Sequence, residues 1–282
     1  MNLKCGEGSK VVMNLRIPRR IIQTGKSPDL SLRSRAAVAN VRLLNPDFEY
    51  LFFEDKKVEE FIDEQFPEYR SVFDAFRFPI SRYDFFRYLA VYHFGGFYLD
   101  LDVFLASSLE DLLGFGCVFP FEELTMNTFL REKYEMDWEI GNYAFGAAAG
   151  HPFLHEIIKN CVKAQKEPEW LQPMMNPIPR MFRDEYFVLN TSGPGLVSRT
   201  LAEYRDAAGQ VKVLFPPNVC ESTNWHSFGG YGVHLQEGTW RKRNGILRRR
   251  LNWFWESWTR KRLLKESLKL GESRSLEFER KA

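Results

Sequence analysis

The sequence predicts an α/β fold built on a mainly parallel sheet, and three observations predict it. Short apolar runs alternate with stretches of helical period from residue 17 onward. A glycine pair, Gly95-Gly96, closes one such helix and opens the next apolar run. The chain has 282 residues, 44% of them hydrophobic, which is enough for a substantial core.

Residues 1–16 read as a lead-in, and 17–23 as the opening strand. A helix follows over 34–44, with Ala37, Val38, Val41 and Leu44 at helical spacing, and it stops at Asn45-Pro46. The run 50–53 has the shape of a buried parallel strand, and 58–66 is helical. A longer helix over 80–94 carries a stripe through Phe85, Leu89 and Tyr92. Residues 97–105 then read as one strand and 117–121 as another. His151-Pro152 announces a helix to 166, while the Pro- and Met-rich stretch 168–183 reads as a loop. Residues 193–204 are helical, and 211–215 and 231–235 are strands.

Charge separates a catalytic body, 1–239, from a basic tail, 240–282. The tail holds 14 Lys and Arg against 5 Asp and Glu, and the body 25 against 32. An acidic body is not the profile of a nucleic-acid-binding domain. Leu247, Leu251, Phe254, Trp255 and Trp258 fall on one helical face of the tail, flanked by arginines. Four of the seven tryptophans lie there. The pattern suits an interfacial helix on an anionic membrane surface, or a terminal helix docked on its own domain. Cys5, Cys117, Cys161 and Cys220 show no metal or disulfide spacing and read as buried thiols. No apolar run approaches the roughly 18 residues of a spanning helix. The expectation is a cytoplasmic protein, peripheral on the inner face of the membrane.

The feature richest in chemistry is Asp100-Leu101-Asp102. Read as strand, the two carboxylates share one face and Leu101 takes the other. Paired like charges beside a core call for compensation, and a divalent cation that also grips phosphates supplies it. The bland alternative is a solvated strand end. Asp84 and Arg87 stand three apart on the preceding helix. They read either as an intrahelical ion pair or as donor contacts, Asp84 to sugar or ribose hydroxyls and Arg87 to an anionic oxygen.

The ordered set from Ser81-Arg82-Tyr83-Asp84-Phe85-Phe86-Arg87-Tyr88 through Gly95-Gly96-Phe97-Tyr98-Leu99-Asp100-Leu101-Asp102 resembles the sugar-binding DxD glycosyltransferases of family 32. That family includes fungal mannosyltransferases and bacterial capsule and lipopolysaccharide enzymes, and the glucosylating clostridial toxins share its core. The resemblance takes in Ile17-Pro18-Arg19-Arg20-Ile21-Ile22-Gln23, Asn142, Gly150-His151-Pro152-Phe153, Gly193-Pro194, His234 and Trp240. Ile22 stands where the family often has His, and Tyr83 where it often has a small residue. Neither change removes a ligand.

The resemblance implies a GT-A fold, a Rossmann-like α/β sandwich, and a retaining, metal-dependent transfer from a UDP- or GDP-sugar to a glycan or lipid-linked glycan acceptor. Cell-surface polysaccharide synthesis is the setting it suggests. It implies Asp84, Arg87, Asp100 and Asp102 as the catalytic set and Asp100, Asp102 and His234 as ligands to Mn²⁺ or Mg²⁺. Gln23, Asp84, Arg87, Asp100, Asn142, His234 and Trp240 would contact the nucleotide-sugar. A toxin-like transferase acting on protein side chains and a catalytically silent, membrane-bound sugar-nucleotide binder are the competing readings.

Overall fold

The computed structural model describes residues 15–204, 210–219, 221–236, 254–259 and 261–262. Strand β1 (Arg20–Thr24) leads to helix α1 (Leu32–Leu44), whose first turn is capped by the Ser31 side chain accepting from the Ser34 N–H. Strand β2 (Glu49–Phe53) lies parallel to β1. It is the edge of the sheet and therefore only half-buried, where the sequence suggested a buried strand. Helices α2 (Asp55–Gln65) and α3 (Arg70–Ala75) lead into α4 (Pro79–Phe94). Helix α4 is buried almost all round from Ser81 to Val91, as a core helix is, rather than along one stripe.

At its end Gly95 and Gly96 take φ of 65° and 109°. A Cβ at Gly96 would stand 2.6 Å from the Arg20 carbonyl oxygen. Glycine alone lets α4 turn directly into β3 (Gly96–Leu99) against β1.

The stretch 97–105 is not one strand. β3 ends at Leu99, Asp100 to Asp102 form a turn, and β4 (Val103–Leu105) leaves the sheet. The turn is closed by the Val103 N–H donating to the Asp100 carbonyl at 3.1 Å. The two carboxylates are therefore brought together by a turn and not by strand alternation. β4 pairs instead with β9 (Gly232–His234), in a separate two-stranded ribbon.

Strands β5 (Cys117–Leu124), β6 (Trp138–Ile140) and β7 (Ala144–Ala147) complete most of the sheet, with α5 (Thr128–Tyr134) between the first two. Helix α6 (Pro152–Lys166) starts at His151, whose ring nitrogen accepts from the Phe153 N–H. Residues 168–183 are mostly helical, contrary to the loop expected there. α7 (Pro168–Met175) opens on a proline, whose fixed φ suits a first turn, and buries Leu171 and Met174. α8 (Arg183–Thr191), α9 (Pro194–Glu203), β8 (Lys212–Leu214) and β9 (Gly232–His234) follow.

The seven-stranded sheet runs β2-β1-β3-β7-β5-β6, with β8 beside β5. β2, β1 and β3 are parallel, β7 is antiparallel to β3 and β5, and β8 is parallel to β5. Strand alternation divides the core. Ile22, Tyr98, Phe119 and Phe145 face α4 and α6, while Ile21, Phe97, Leu99 and Val118 face the layer that contains α1. Among the described residues no helix is long and apolar enough to cross a membrane. Cys117 and Cys161 are buried free thiols, and Cys5 and Cys220 lie outside the described residues.

Residues 254–259 are helical and rest on the body. Trp255 packs against Phe182 and Tyr186 at centroid distances of 5.4 and 5.7 Å, and the Tyr186 hydroxyl donates to Glu256. Phe254 and Trp258 are 66% and 56% exposed, so the apolar residues here divide between the body and solvent.

Candidate active site

The parallel strands β1 and β3 end at the same edge of the sheet, where ligands of open α/β sheets gather. Antiparallel β7 begins at that edge, because Ala144 pairs with Leu99. The fold thus places Gln23, Asp100 and Asn142 together from positions far apart in the chain.

Behind the edge lies a buried network centred on α4. Arg87 pairs with Asp84 at 3.0 Å and with Asp100 at 3.3 Å, and donates to the Asn142 carbonyl at 2.8 Å. Its guanidinium also lies over the Tyr98 ring at 4.6 Å. Asp84 accepts from the Ser192 hydroxyl at 2.8 Å and from the Asn142 amide at 3.3 Å. The Asn142 amide also donates to the Tyr88 hydroxyl at 2.8 Å, which donates onward to the Ser192 carbonyl at 2.6 Å. The Asp84–Arg87 pair is an intrahelical ion pair, yet it is buried and tied to three other elements, unlike a surface pair.

Burial pushes the Asp84 carboxyl up to about 6, against the opposing pull of Arg87 and the Ser192 hydrogen bond. Burial works against the Arg87 charge, but Asp100, Tyr98 and Asp84 outweigh it and hold the guanidinium protonated.

In front of the network is a second cluster. Ligand atoms of Asp100, Asp102 and His234 all lie within 4.8 Å of one another. The register of the ribbon makes this possible, since Val103 pairs with His234 and so sets the imidazole beside Asp102. His234 Nε2 is 3.3 Å from Asp102 Oδ1. Asp100 also accepts from the Tyr98 hydroxyl at 2.8 Å. All three side chains keep some exposure, 26% for Asp100, 18% for Asp102 and 16% for His234.

Burial raises the Asp100 carboxyl despite Arg87, and the Asp102 charge raises it further. Burial lowers the His234 imidazole, but its hydrogen bond and charge contact with Asp102 prevail and raise it. Two carboxylates and an imidazole converging on one point form a donor set suited to a divalent ion.

Gln23 is fully buried at the end of β1. Its amide donates to the Leu99 carbonyl at 3.2 Å and its oxygen accepts from the Tyr50 hydroxyl, so it braces the backbone entering the Asp100 turn. Trp240 lies outside the described residues. Ser192, Tyr88, Tyr98 and Tyr143 are given no site role by the sequence. Tyr98 stands two residues before Asp100 and was the one within reach of a spacing argument.

Residues 31–119 match the family model described as the glycosyltransferase sugar-binding region containing DXD motif. The chain is similar to that region over a segment that includes Asp84, Arg87, Asp100 and Asp102. Its DXD turn, at the end of β3, lies inside the matched segment. The mannosyl phosphorylinositol ceramide synthase SUR1 of Saccharomyces cerevisiae is 26% identical to it over 224 residues, covering 74% of this chain and 52% of that protein. Inositol phosphoceramide mannosyltransferase 3 of Schizosaccharomyces pombe is 32% identical over 144 residues, covering 51% of this chain and 37% of that protein. The chain spans about half the length, or less, of these relatives. The solved PaToxG glycosyltransferase superposes with a TM-score of 0.43 at 15% identity, over 67% of this chain and 70% of that one.

Proposed function

We propose that this domain transfers a sugar, with retention of configuration, from a nucleotide-sugar to a hydroxyl of a lipid-linked or glycan acceptor, using a divalent cation. The observation that carries the reading is the convergence of Asp100, Asp102 and His234 on one point. These residues would hold Mn²⁺ or Mg²⁺. Such an ion, when bound, neutralises charge on the departing diphosphate. Asp84 is buried and takes hydrogen bonds from Ser192 and Asn142, so it braces the site from behind. Arg87 fixes Asp84, Asp100 and the Asn142 carbonyl in one geometry and adds positive charge behind the cluster.

The two relatives above are named as a mannosyl phosphorylinositol ceramide synthase and an inositol phosphoceramide mannosyltransferase. They favour an activated mannose as donor and a lipid-linked acceptor over a polysaccharide. Exposed Phe254 and Trp258 support contact with a membrane surface, which would place a peripheral enzyme beside a lipid acceptor. The test is nucleoside diphosphate release from a panel of GDP- and UDP-sugars, with Mn²⁺ and with chelator. Release that needs the metal and favours one sugar is expected. No release from any donor, or release indifferent to chelation, overturns the reading.

A further inference from the structure

Tyr143 touches both halves of the Asp100, Asp102 and His234 cluster. Its carbonyl accepts the Asp100 N–H at 2.7 Å. Its ring lies face to face with the His234 imidazole, centroids 4.3 Å apart and planes within 16°. One residue thus bridges the turn after β3, which ends a strand of the large sheet, and β9, which belongs to the ribbon.

The ring has little freedom. Tyr143 is 2% exposed, and a Cβ on Gly141 would collide with both the Tyr143 ring and the Glu122 carboxylate. On the other side of β9, the His234 N–H donates to the His226 carbonyl at 3.0 Å. His226 has a left-handed φ of 60° and its Nδ1 lies 3.1 Å from Glu122 Oε1. The backbone of His234 is therefore held, and its ring plane needs a separate restraint.

A metal-binding histidine ordinarily has that plane fixed by a hydrogen bond from its second nitrogen. In His234, Nε2 faces Asp102, and Nδ1 is buried with no hydrogen-bond partner among the described residues. The restraint present is the stacked tyrosine. The Tyr143 hydroxyl is itself buried without a hydrogen-bond partner among the described residues, so the ring and not the phenol carries the effect.

We propose that Tyr143 is a positioning residue for the cation grip. Its ring sets the His234 imidazole and its carbonyl sets Asp100, so cation affinity depends on an aromatic ring at this position. The inference rests on the metal-holding reading of the cluster.

The test is titration calorimetry of Mn²⁺ into the full chain without donor. Tyr143→Phe should bind within about twofold of the unsubstituted protein, and Tyr143→Leu and Tyr143→Met about tenfold more weakly. In a His234→Ala background, Tyr143→Leu should bring no further loss, because its effect passes through the imidazole. Affinity unchanged in Tyr143→Leu, or an equal loss with and without His234, overturns the inference. If the unsubstituted protein binds no Mn²⁺, the metal-holding reading itself fails.

A measurement on the unsubstituted protein stands in should the Leu and Met variants not fold. A stacked tyrosine ring shifts the His234 ring protons upfield in the NMR spectrum, assigned by their loss in His234→Gln. Ring protons at the positions of an unstacked histidine overturn the inference.

Discussion

Asp84 and Asp102 are carboxylates of one site in opposite surroundings. Asp84 is buried on a core helix, holds hydrogen bonds from Ser192 and Asn142, and pairs with an equally buried arginine. Asp102 sits in a turn, partly open to solvent, beside another carboxylate and an imidazole. The inner network is satisfied by the protein, apart from an Arg87 Nε that has no hydrogen-bond partner among the described residues, and it belongs to the fold's stability as much as to its chemistry. The outer cluster brings like charges together and is completed by what it binds. Stability and turnover should therefore separate along this boundary.

The largest expected effect is on the outer cluster. Asp102→Asn should lower metal-dependent turnover about a thousandfold, with unfolding free energy changed by about 1 kcal/mol or less. Steady-state assays and urea denaturation check the two halves. Turnover within a few-fold of the unsubstituted protein would break the comparison. The inner network should behave otherwise. Arg87→Met leaves Asp84 and Asp100 without their buried partner and should cost about 3 kcal/mol of stability as well as activity. Loss of activity with unaltered denaturation would place Arg87 in the outer class.

A buried group away from the site sharpens the contrast. Burial lowers the His151 imidazole to about 4, and its Nδ1 must be unprotonated to accept from the Phe153 N–H. The unfolded state takes up a proton near pH 6.5 and the folded state resists it. This stabilisation is present above pH 6.5 and is lost as pH falls toward 4, amounting to at most about 3 kcal/mol. His151→Asn keeps a capping acceptor and should flatten that part of the pH–stability curve, measured by urea midpoints at pH 7 and pH 4.5, without altering turnover at pH 7.

The smallest effect lies outside both regions. Phe254→Ser with Trp258→Ser should weaken co-sedimentation with anionic vesicles several-fold and leave donor turnover intact. Point substitutions serve better than truncation, because removing the tail would uncover Phe182 and Tyr186 beneath Trp255. Equal co-sedimentation by both proteins would confine these residues to solvent.

The outer carboxylates were legible in company: Asp100 and Asp102 alone also read as a solvated strand end, and Asp84, Arg87 and the glycine pair before them turned the reading toward a site. Their local geometry was misread as strand, since nothing near residue 100 announces that β4 will leave the sheet for a partner near residue 233. The inner network was half visible. Asp84 and Arg87 are three apart on one helix, but Ser192 reaches Asp84 across 108 residues of chain. Tyr143 was invisible for a similar reason: its meaning is a stacking partner supplied by another sheet. α7 was missed because a proline counts against helix in a pattern reading, although at the first position it favours one.

The ribbon of β4 and β9 gives the cation cluster a place in time as well as in space. Asp100 and Asp102 precede His234 by more than 130 residues. On a ribosome, the seven-stranded sheet can begin to assemble long before residue 234 is made. The grip on the cation cannot close until β9 pairs with β4. A nascent chain is therefore kept from assembling the full ligand set until nearly all of the body has been synthesised. Asp100, Asp102 and His234 therefore come together only after β9 has been made and has paired with β4.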